Sequence, residues 1–533
     1  MEQQTPQTSQ IPQNPMPQPM PPIPKTPPLP SDTKDYVFLI LLFLESILFA
    51  DGLFRGGFQL GFALGGCLIV LTLGLFAFKK AGKATVEGGA ILLLTAALVA
   101  SFAVNNTFVV KFFAVPTVAL LFPIGLSAFT ENAIGKTGTA GRLFDVINGL
   151  AIVPFGHVAL TVRSILPKKG NKKSVGVFAV LLGLLCALPV LFILVPLLMA
   201  SDAAFEGLMN RITLLDGETP AIVIFGCLVF FYVFTIGFIY RKGAAGKPMA
   251  GNAKLGFIPS AAVTAFLAVI DGCYLLYLFS QTAYFFSAFS GLLPAGFKVA
   301  DYARRGFFEM FAICVINLIL LTLAAVFTAK KEERLPRSVF GLLLGLGGFS
   351  IGMIAVSFSK MVLYMRSFGL SQNRLFTTVI MLVMLVILIA VLIRLFTKRF
   401  PYFKVIIAAV AIVAVAVSFA DIDRVIAQYN TEHYRSGDLA TLDVSYLSDL
   451  SDAAVPYLIP FADDKNDTGE AVRRELAQRY VMYYDEYGEL RDTPVWQNWN
   501  YTTDRAKKLL NENKKKYAVQ ILALNDNPYR IRE

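Results

Sequence analysis

Eleven apolar stretches, each long enough to cross a bilayer, fill Tyr36 to Ala420. A membrane's hydrocarbon core is about 30 Å thick, so a spanning helix needs roughly 20 mostly apolar residues. The stretches are 36–54, 57–78, 88–104, 107–129, 174–200, 220–240, 258–280, 307–328, 338–359, 375–397 and 402–420. Lipid offers no hydrogen bonds to the backbone, so each stretch must satisfy its own N–H and C=O groups as a helix. The expected fold class is all-α: a polytopic transmembrane helical bundle of about 11 spans with a small C-terminal helical soluble domain.

Composition points the same way. Charged residues make up 16% of the chain, against about 25% in soluble proteins, so much apolar surface has to face lipid. Net charge is +16 over residues 1–420 and −5 over 421–533. Basic excess in membrane loops reads as topology and lipid contact. It forms no aromatic-studded patch of the kind nucleic acid requires, so nucleic-acid binding is not expected.

Three regions follow. Residues 1–35 hold 11 of the 27 prolines, cannot bury a core, and read as a disordered Pro/Gln-rich tail. No basic n-region with a small-residue cleavage site is visible, so the first span is expected to be an uncleaved anchor. Residues 36–420 form the bundle. Residues 421–533 read as a helical domain, with helical spacing at Ile422–Tyr434, Asp467–Tyr487 and Asp504–Lys516 and two short turns in Ser445–Pro460. Trp496 and Trp499 are three apart, which suits one helix face or an interface anchor.

The stretch 144–166 is a twelfth apolar candidate, and charge argues against it as a span. Lys136 and Arg142 precede it, and Arg163, Lys168, Lys169, Lys172 and Lys173 follow. Positive loops stay in the cytoplasm, so both clusters belong on one side and 144–166 reads as interfacial or re-entrant. The N-terminus is then inside, and an odd number of spans puts 421–533 outside. The loop with Lys360, Arg366 and Arg374 is an outside exception. Asp51-Gly52 and Asn105-Asn106 read as tight turns between antiparallel helices. Gly56-Gly57, Gly65-Gly66 and Gly347-Gly348 read as close helix-packing points.

Chemistry-bearing residues are few. The five cysteines lie in apolar spans and form no Cys-x-x-Cys pair, so no disulfide framework is expected. Only His157 and His433 are available, which excludes a four-histidine iron site. Gly135-Lys136-Thr137-Gly138 lacks the spacing of a phosphate loop. No catalytic residue, metal site or cofactor is expected. Ionisable groups inside a bilayer are costly and face a cavity or a partner. Asp271, flanked by Gly272, Tyr274 and Tyr277, is the best candidate, read as a coupling carboxylate or a buried interhelical partner. Glu45 is a second, nearer a helix end. Asn317 reads as an interhelical contact.

The densest cluster is Ala300-Asp301-Tyr302-Ala303-Arg304-Arg305-Gly306-Phe307-Phe308-Glu309. In a helix, Asp301, Arg305 and Glu309 stack at i, i+4 and i+8. Arg304 and Arg305 could grip a phosphate or carboxylate, or the ladder could satisfy itself and set helix depth. Gln281 to Phe289 is expected to break from its span and fold back as an outer lid. The Tyr302–Glu309 run resembles the signature of an uncharacterised family of multi-pass bacterial membrane proteins, known as a domain of unknown function. Asp51-Gly52-Leu53-Phe54 is a second match. Asp443-Val444-Ser445-Tyr446-Leu447 and Leu450-Ser451-Asp452-Ala453-Ala454-Val455-Pro456 are further ones. The resemblance covers roughly 36–515. It implies a bacterial cytoplasmic membrane location and no particular substrate.

Three function classes stay open. The leading expectation is a non-enzymatic sensor, scaffold or regulator of envelope function, with membrane lipids as partners and an envelope protein contacting 421–533. The second is a secondary transporter using Asp271 and Glu45, although no internal repeat is evident. The third is a lipid-handling enzyme using Arg304, Arg305 and Glu309.

Overall fold

The computed structural model describes residues 27–78, 83–135, 138–165, 194–202, 218–246, 256–290, 307–330, 334–397, 399–485, 487–491 and 495–525, with residues 205, 207 and 209. Of 83, 84, 280–290 and 307–309 only the backbone is described. Within these residues the fold is all-helical, and ten helices are long and apolar enough to cross a membrane. It is a polytopic transmembrane bundle.

The bundle has two lobes. The first contains α1 (Thr33–Gly56), α2 (Leu60–Ala77), α3 (Lys83–Ala100) and α4 (Phe108–Phe129). It also contains the bent pair α5 (Ala140–Gly156) and α6 (Val158–Ile165), and α7 (Thr219–Lys242). Their shared core includes Phe38, Leu73, Leu126, Val153, Phe230 and Tyr240. The second lobe contains α8 (Ser260–Ser290), α9 (Phe307–Phe327), α10 (Arg337–Phe368) and α11 (Gln372–Phe396). Its separate core includes Leu267, Cys314, Leu346, Met353 and Met381. Lipid tails are as apolar as leucine, so close packing and interhelical hydrogen bonds hold such lobes together. Helix α12 (Tyr402–Ala420) bridges them, packing on α11 on one side and on α3 and α4 on the other.

The C-terminal residues form a helical cap over one end of the bundle. It comprises α13 (Ile422–Ser436), short turns at Val444–Ser448 and Val455–Leu458, α14 (Asp467–Tyr483), α15 (Tyr501–Asn513) and α16 (Ala518–Asn525). Its core, with Ile426, Leu447, Leu458, Leu476 and Leu510, also takes in Val110 from α4 and Phe376 from α11. Buried Arg479 pins the chain, donating to the carbonyls of Ser448 and Leu450 at 2.8 and 2.9 Å and pairing with Glu475 at 2.5 Å.

Basic residues gather at the opposite end. Arg241 and Lys242 close α7 and pair with Asp35, and Arg241 also reaches Asp32 at 2.7 Å. Asp32 and Asp35 form the capping box that starts α1. Burial alone would raise the Asp32 pKa, but the Arg241 hydrogen bond, the Asp35 backbone N–H and the charges of Arg241 and Lys242 together outweigh it and hold the carboxyl below its ordinary range.

Several expectations change. Asp51-Gly52 lies in the last turns of α1, and the connection falls at Gly57–Gln59; nothing before Gly57 breaks the helix. Asn105-Asn106 does lie in the short connection between α3 and α4. Gln281 to Phe289 continues α8 to Ser290 instead of folding back, because no glycine or proline interrupts it before Gly291. Helix α10 runs through Lys360 and Arg366 to Phe368, so these lie on a helix and not in a loop. Trp496–Asn498 is one 3-10 turn, and both tryptophans are partly exposed. The pair α5 and α6 bends by 56°, the geometry of a broken span or a re-entrant segment, with a π-helical stretch at Asn148–Ile152 and Pro154 next to it. Of the span expected at 174–200, residues 194–200 are helical and the rest lies outside the described residues. The same holds for residues 1–26 of the tail.

Candidate functional site

The two intramembrane carboxylates sit in different lobes. Glu45 on α1 accepts from Thr72 Oγ1 at 2.6 Å through one oxygen. Its Oε2 is buried without a partner among the described residues. Asp271 on α8 faces α10 at Gly345, where a Cβ would stand 3.0 Å from Oδ2. Its Oδ1 is likewise buried and unpartnered among the described residues. Next to Asp271 runs a polar chain across three helices. Tyr274 donates to Asn317 at 2.6 Å, Asn317 donates to Ser350 at 3.0 Å, and Ser350 donates to the Leu346 carbonyl at 2.8 Å. Asn317 is thus an interhelical contact. Asp301, Tyr302, Arg304 and Arg305 lie outside the described residues. Glu309 is on α9, with only its backbone described. Among the described residues no group of three His, Cys, Asp or Glu is placed to hold a metal.

The densest buried polar geometry lies where the cap meets the bundle. Asp423, 1% exposed, is the centre of it. Its Oδ2 accepts from Thr107 Oγ1 at 3.0 Å and from the Ser451 backbone N–H at 2.9 Å, and its Oδ1 accepts from Gln372 Nε2 at 2.6 Å. Thr107 caps α4 of the first lobe, Gln372 opens α11 of the second, and Ser451 precedes a turn of the cap. Helix starts carry unsatisfied N–H groups and partial positive charge. One carboxylate therefore joins both lobes to the cap at a place where its charge is favoured.

Neighbouring contacts extend the seam. Asn430 of α13 clasps Leu370, accepting from its N–H at 2.7 Å and donating to its carbonyl at 2.9 Å. Tyr446 accepts from the Gln372 backbone at 2.7 Å. On the first lobe, Asn500 donates to the Phe102 carbonyl at 3.3 Å, and the Thr502 backbone donates to Val104 at 3.2 Å. Asn105 donates to the Ser418 carbonyl. The Trp496–Trp499 turn lies against the ends of α1 and α2. Gln497 donates to Asp51 at 2.8 Å, and Leu60 donates to the Trp499 carbonyl at 3.2 Å. Asp51 also pairs with Arg55 at 2.9 Å. A Cβ at Gly56 would fall inside the Gln497 backbone, so only glycine admits this approach.

Asp421 lies between the last span and α13. It holds φ +51°, costly for a residue with a side chain, and caps α13 through the Arg424 N–H at 3.4 Å. Thr502 Oγ1 lies 2.9 Å from the Val104 carbonyl and 3.2 Å from Asp421 Oδ2. One hydroxyl proton serves one acceptor at a time. Burial first, and the charge of Asp423 beside it, raise the Asp421 pKa.

A family model described as Domain of unknown function (DUF4153) matches residues 39–461. The chain belongs to this family. The DUF4153 match reaches into the cap as far as Phe461 and so includes Asp51, Thr107, Gln372, Asp421, Asp423 and Ser451, whereas Gln497 and Thr502 lie beyond it. No curated protein and no solved structure matches the chain. As a DUF4153 member with ten apolar helices of spanning length among the described residues, it is an integral, multi-pass membrane protein.

Sequence reasoning missed Asp423, Gln372 and Thr107. A signal was present: Asp421 and Asp423 follow an uninterrupted apolar helix at once. Two carboxylates at that depth require partners.

Proposed function

We propose that this DUF4153 protein is a membrane sensor or regulator in which the cap sets the relative position of the two lobes. The observation carrying this reading is the single buried carboxylate of Asp423, bonded to α4, to α11 and to the cap. A change of state in the cap alters the helix ends of both lobes through that one group.

In this reading the cap is an extracytoplasmic domain of a cytoplasmic-membrane protein, and its exposed surface meets an envelope partner. Charge supports that orientation. Arg241 and Lys242 of α7, Arg337 of α10, Arg394 of α11 and Lys404 of α12 stand at helix ends remote from the cap, and positive ends face the cytoplasm. The test is hydrogen exchange with an antibody fragment bound to the cap near Met482, which is 60% exposed. Coupling predicts altered exchange at Thr107–Lys111 and Leu370–Phe376. Changes confined to the cap would contradict it.

A second reading, secondary transport, draws on Glu45, bonded through one oxygen, and Asp271, whose Oδ1 is unpartnered among the described residues. It is tested by proton-driven solute uptake into liposomes. Loss of uptake in Asp271→Asn with retained folding would favour it over the regulator.

A further inference from the structure

We propose that the cleft between α10 and α11 is a binding site for an anionic phospholipid, with Arg366 on the phosphate and one acyl chain in the cleft. The cleft has a volume of about 560 Å³, within the roughly 300–1,000 Å³ of small-molecule sites. Ile354, Phe358 and Val362 from α10 and Met381 and Leu385 from α11 line it, and Arg366 stands at one end. Its lining on α10 runs from Ile351 to Arg366, about 22 Å at 1.5 Å per residue. One leaflet's hydrocarbon is roughly 15 Å deep, so the cleft takes a lipid tail and reaches its headgroup.

Charge selects the occupant. Arg366 lies in the last turn of α10, next to the Gly369–Ser371 connection on which Asn430 of the cap rests. That is headgroup depth. It is exposed and has no hydrogen-bond or ion-pair partner among the described residues. The nearby Arg374 is committed elsewhere. It stacks on Tyr364 at 4.1 Å and donates to the Phe368 and Gly369 carbonyls at 2.9 and 2.6 Å. A guanidinium with free donors above an apolar cleft fits a phosphate carried on an acyl chain. A zwitterionic headgroup would bring its own cation to the same place.

The test is native mass spectrometry of the full chain in mild detergent, titrated with phosphatidylglycerol and phosphatidylcholine of equal chain length. The wild type is expected to prefer phosphatidylglycerol by about fivefold, the scale of one favourable cation near an anionic lipid. Arg366→Gln should remove the preference, and Arg366→Lys should keep most of it. Val362→Trp, which fills the cleft, should weaken both lipids. Inorganic phosphate should not displace the bound lipid. Should Val362→Trp not fold, a photoreactive residue at position 382 in the wild type must label the phosphatidylglycerol tail. Undiminished preference in Arg366→Gln, displacement by phosphate, or no labelling from position 382 would overturn the site.

Discussion

Gln497 donates to Asp51 at 2.8 Å, joining two residues 446 positions apart. The contact seats the cap on the first lobe. It depends on the bare backbone of Gly56, against which the Gln497 main chain rests. Asp51-Gly52-Leu53-Phe54 therefore belongs to a docking surface and not to a turn.

Gly56→Ala is expected to lift the Trp496–Trp499 turn from the bundle. Overpacking at such a site costs about 1–3 kcal/mol. Because both tryptophans of the chain lie in this turn, the change should appear as a shift in tryptophan emission. Gly57→Ala, with open space around its Cβ, should leave the emission unchanged and pay only for its φ of +63°.

Asp423→Ala should be the most damaging single change at the seam. It leaves the Thr107 hydroxyl, the Gln372 amide and the Ser451 N–H without their acceptor. An abandoned buried donor costs about 1–3 kcal/mol, so a loss of about 2–4 kcal/mol is expected from thermal unfolding in detergent. Asp423→Asn should lose less, because its carbonyl oxygen still accepts.

Acidity should tighten the seam at Asp421. Its folded-state pKa is raised, chiefly by burial, so the folded protein holds this proton more firmly than the unfolded chain. Stability from this group then falls as pH rises from the ordinary 3.8 through the folded value, and is recovered as pH falls back through that window. The geometry gives the reason. Protonated Asp421 can donate to Thr502, which frees the Thr502 hydroxyl for Val104. Asp421→Asn keeps the helix cap and the positive φ and should abolish this pH dependence. Thermal unfolding at several pH values, wild type against Asp421→Asn, checks it.

The spans were legible in the sequence because apolar run length alone decides them; Leu60–Ala77 and Tyr402–Ala420 lie within three residues of their expected bounds. Helix ends past the hydrocarbon were not. Lys360 and Arg366 look like loop residues, yet their long stems let α10 continue until Gly369. The seam was illegible for another reason. Thr107 lies 316 positions from Asp423 and Gln372 lies 51 from it, and no periodicity within one helix reports on a meeting of three helix ends. Asp271 was legible as a cost, but the approach of Gly345 to it was not.

In the second lobe, Asn317→Ala should destabilise by about 1–2 kcal/mol, since it strands the Tyr274 hydroxyl and removes the donor to Ser350. Asp271→Asn should cost less than about 1 kcal/mol, because no described hydrogen bond depends on its charge. The two variants, compared by thermal unfolding in one detergent, separate the interhelical brace from the carboxylate beside it.

The most direct measurement is the distance between spin labels at exposed Leu71 of α2 and exposed Leu382 of α11, read by pulsed electron resonance in lipid nanodiscs. With Asp423 intact, one narrow distribution is expected. With Asp423→Ala, the distribution should broaden or move while both lobes keep their helicity. An identical distribution in the two proteins would contradict the idea that this carboxylate holds the lobes in register.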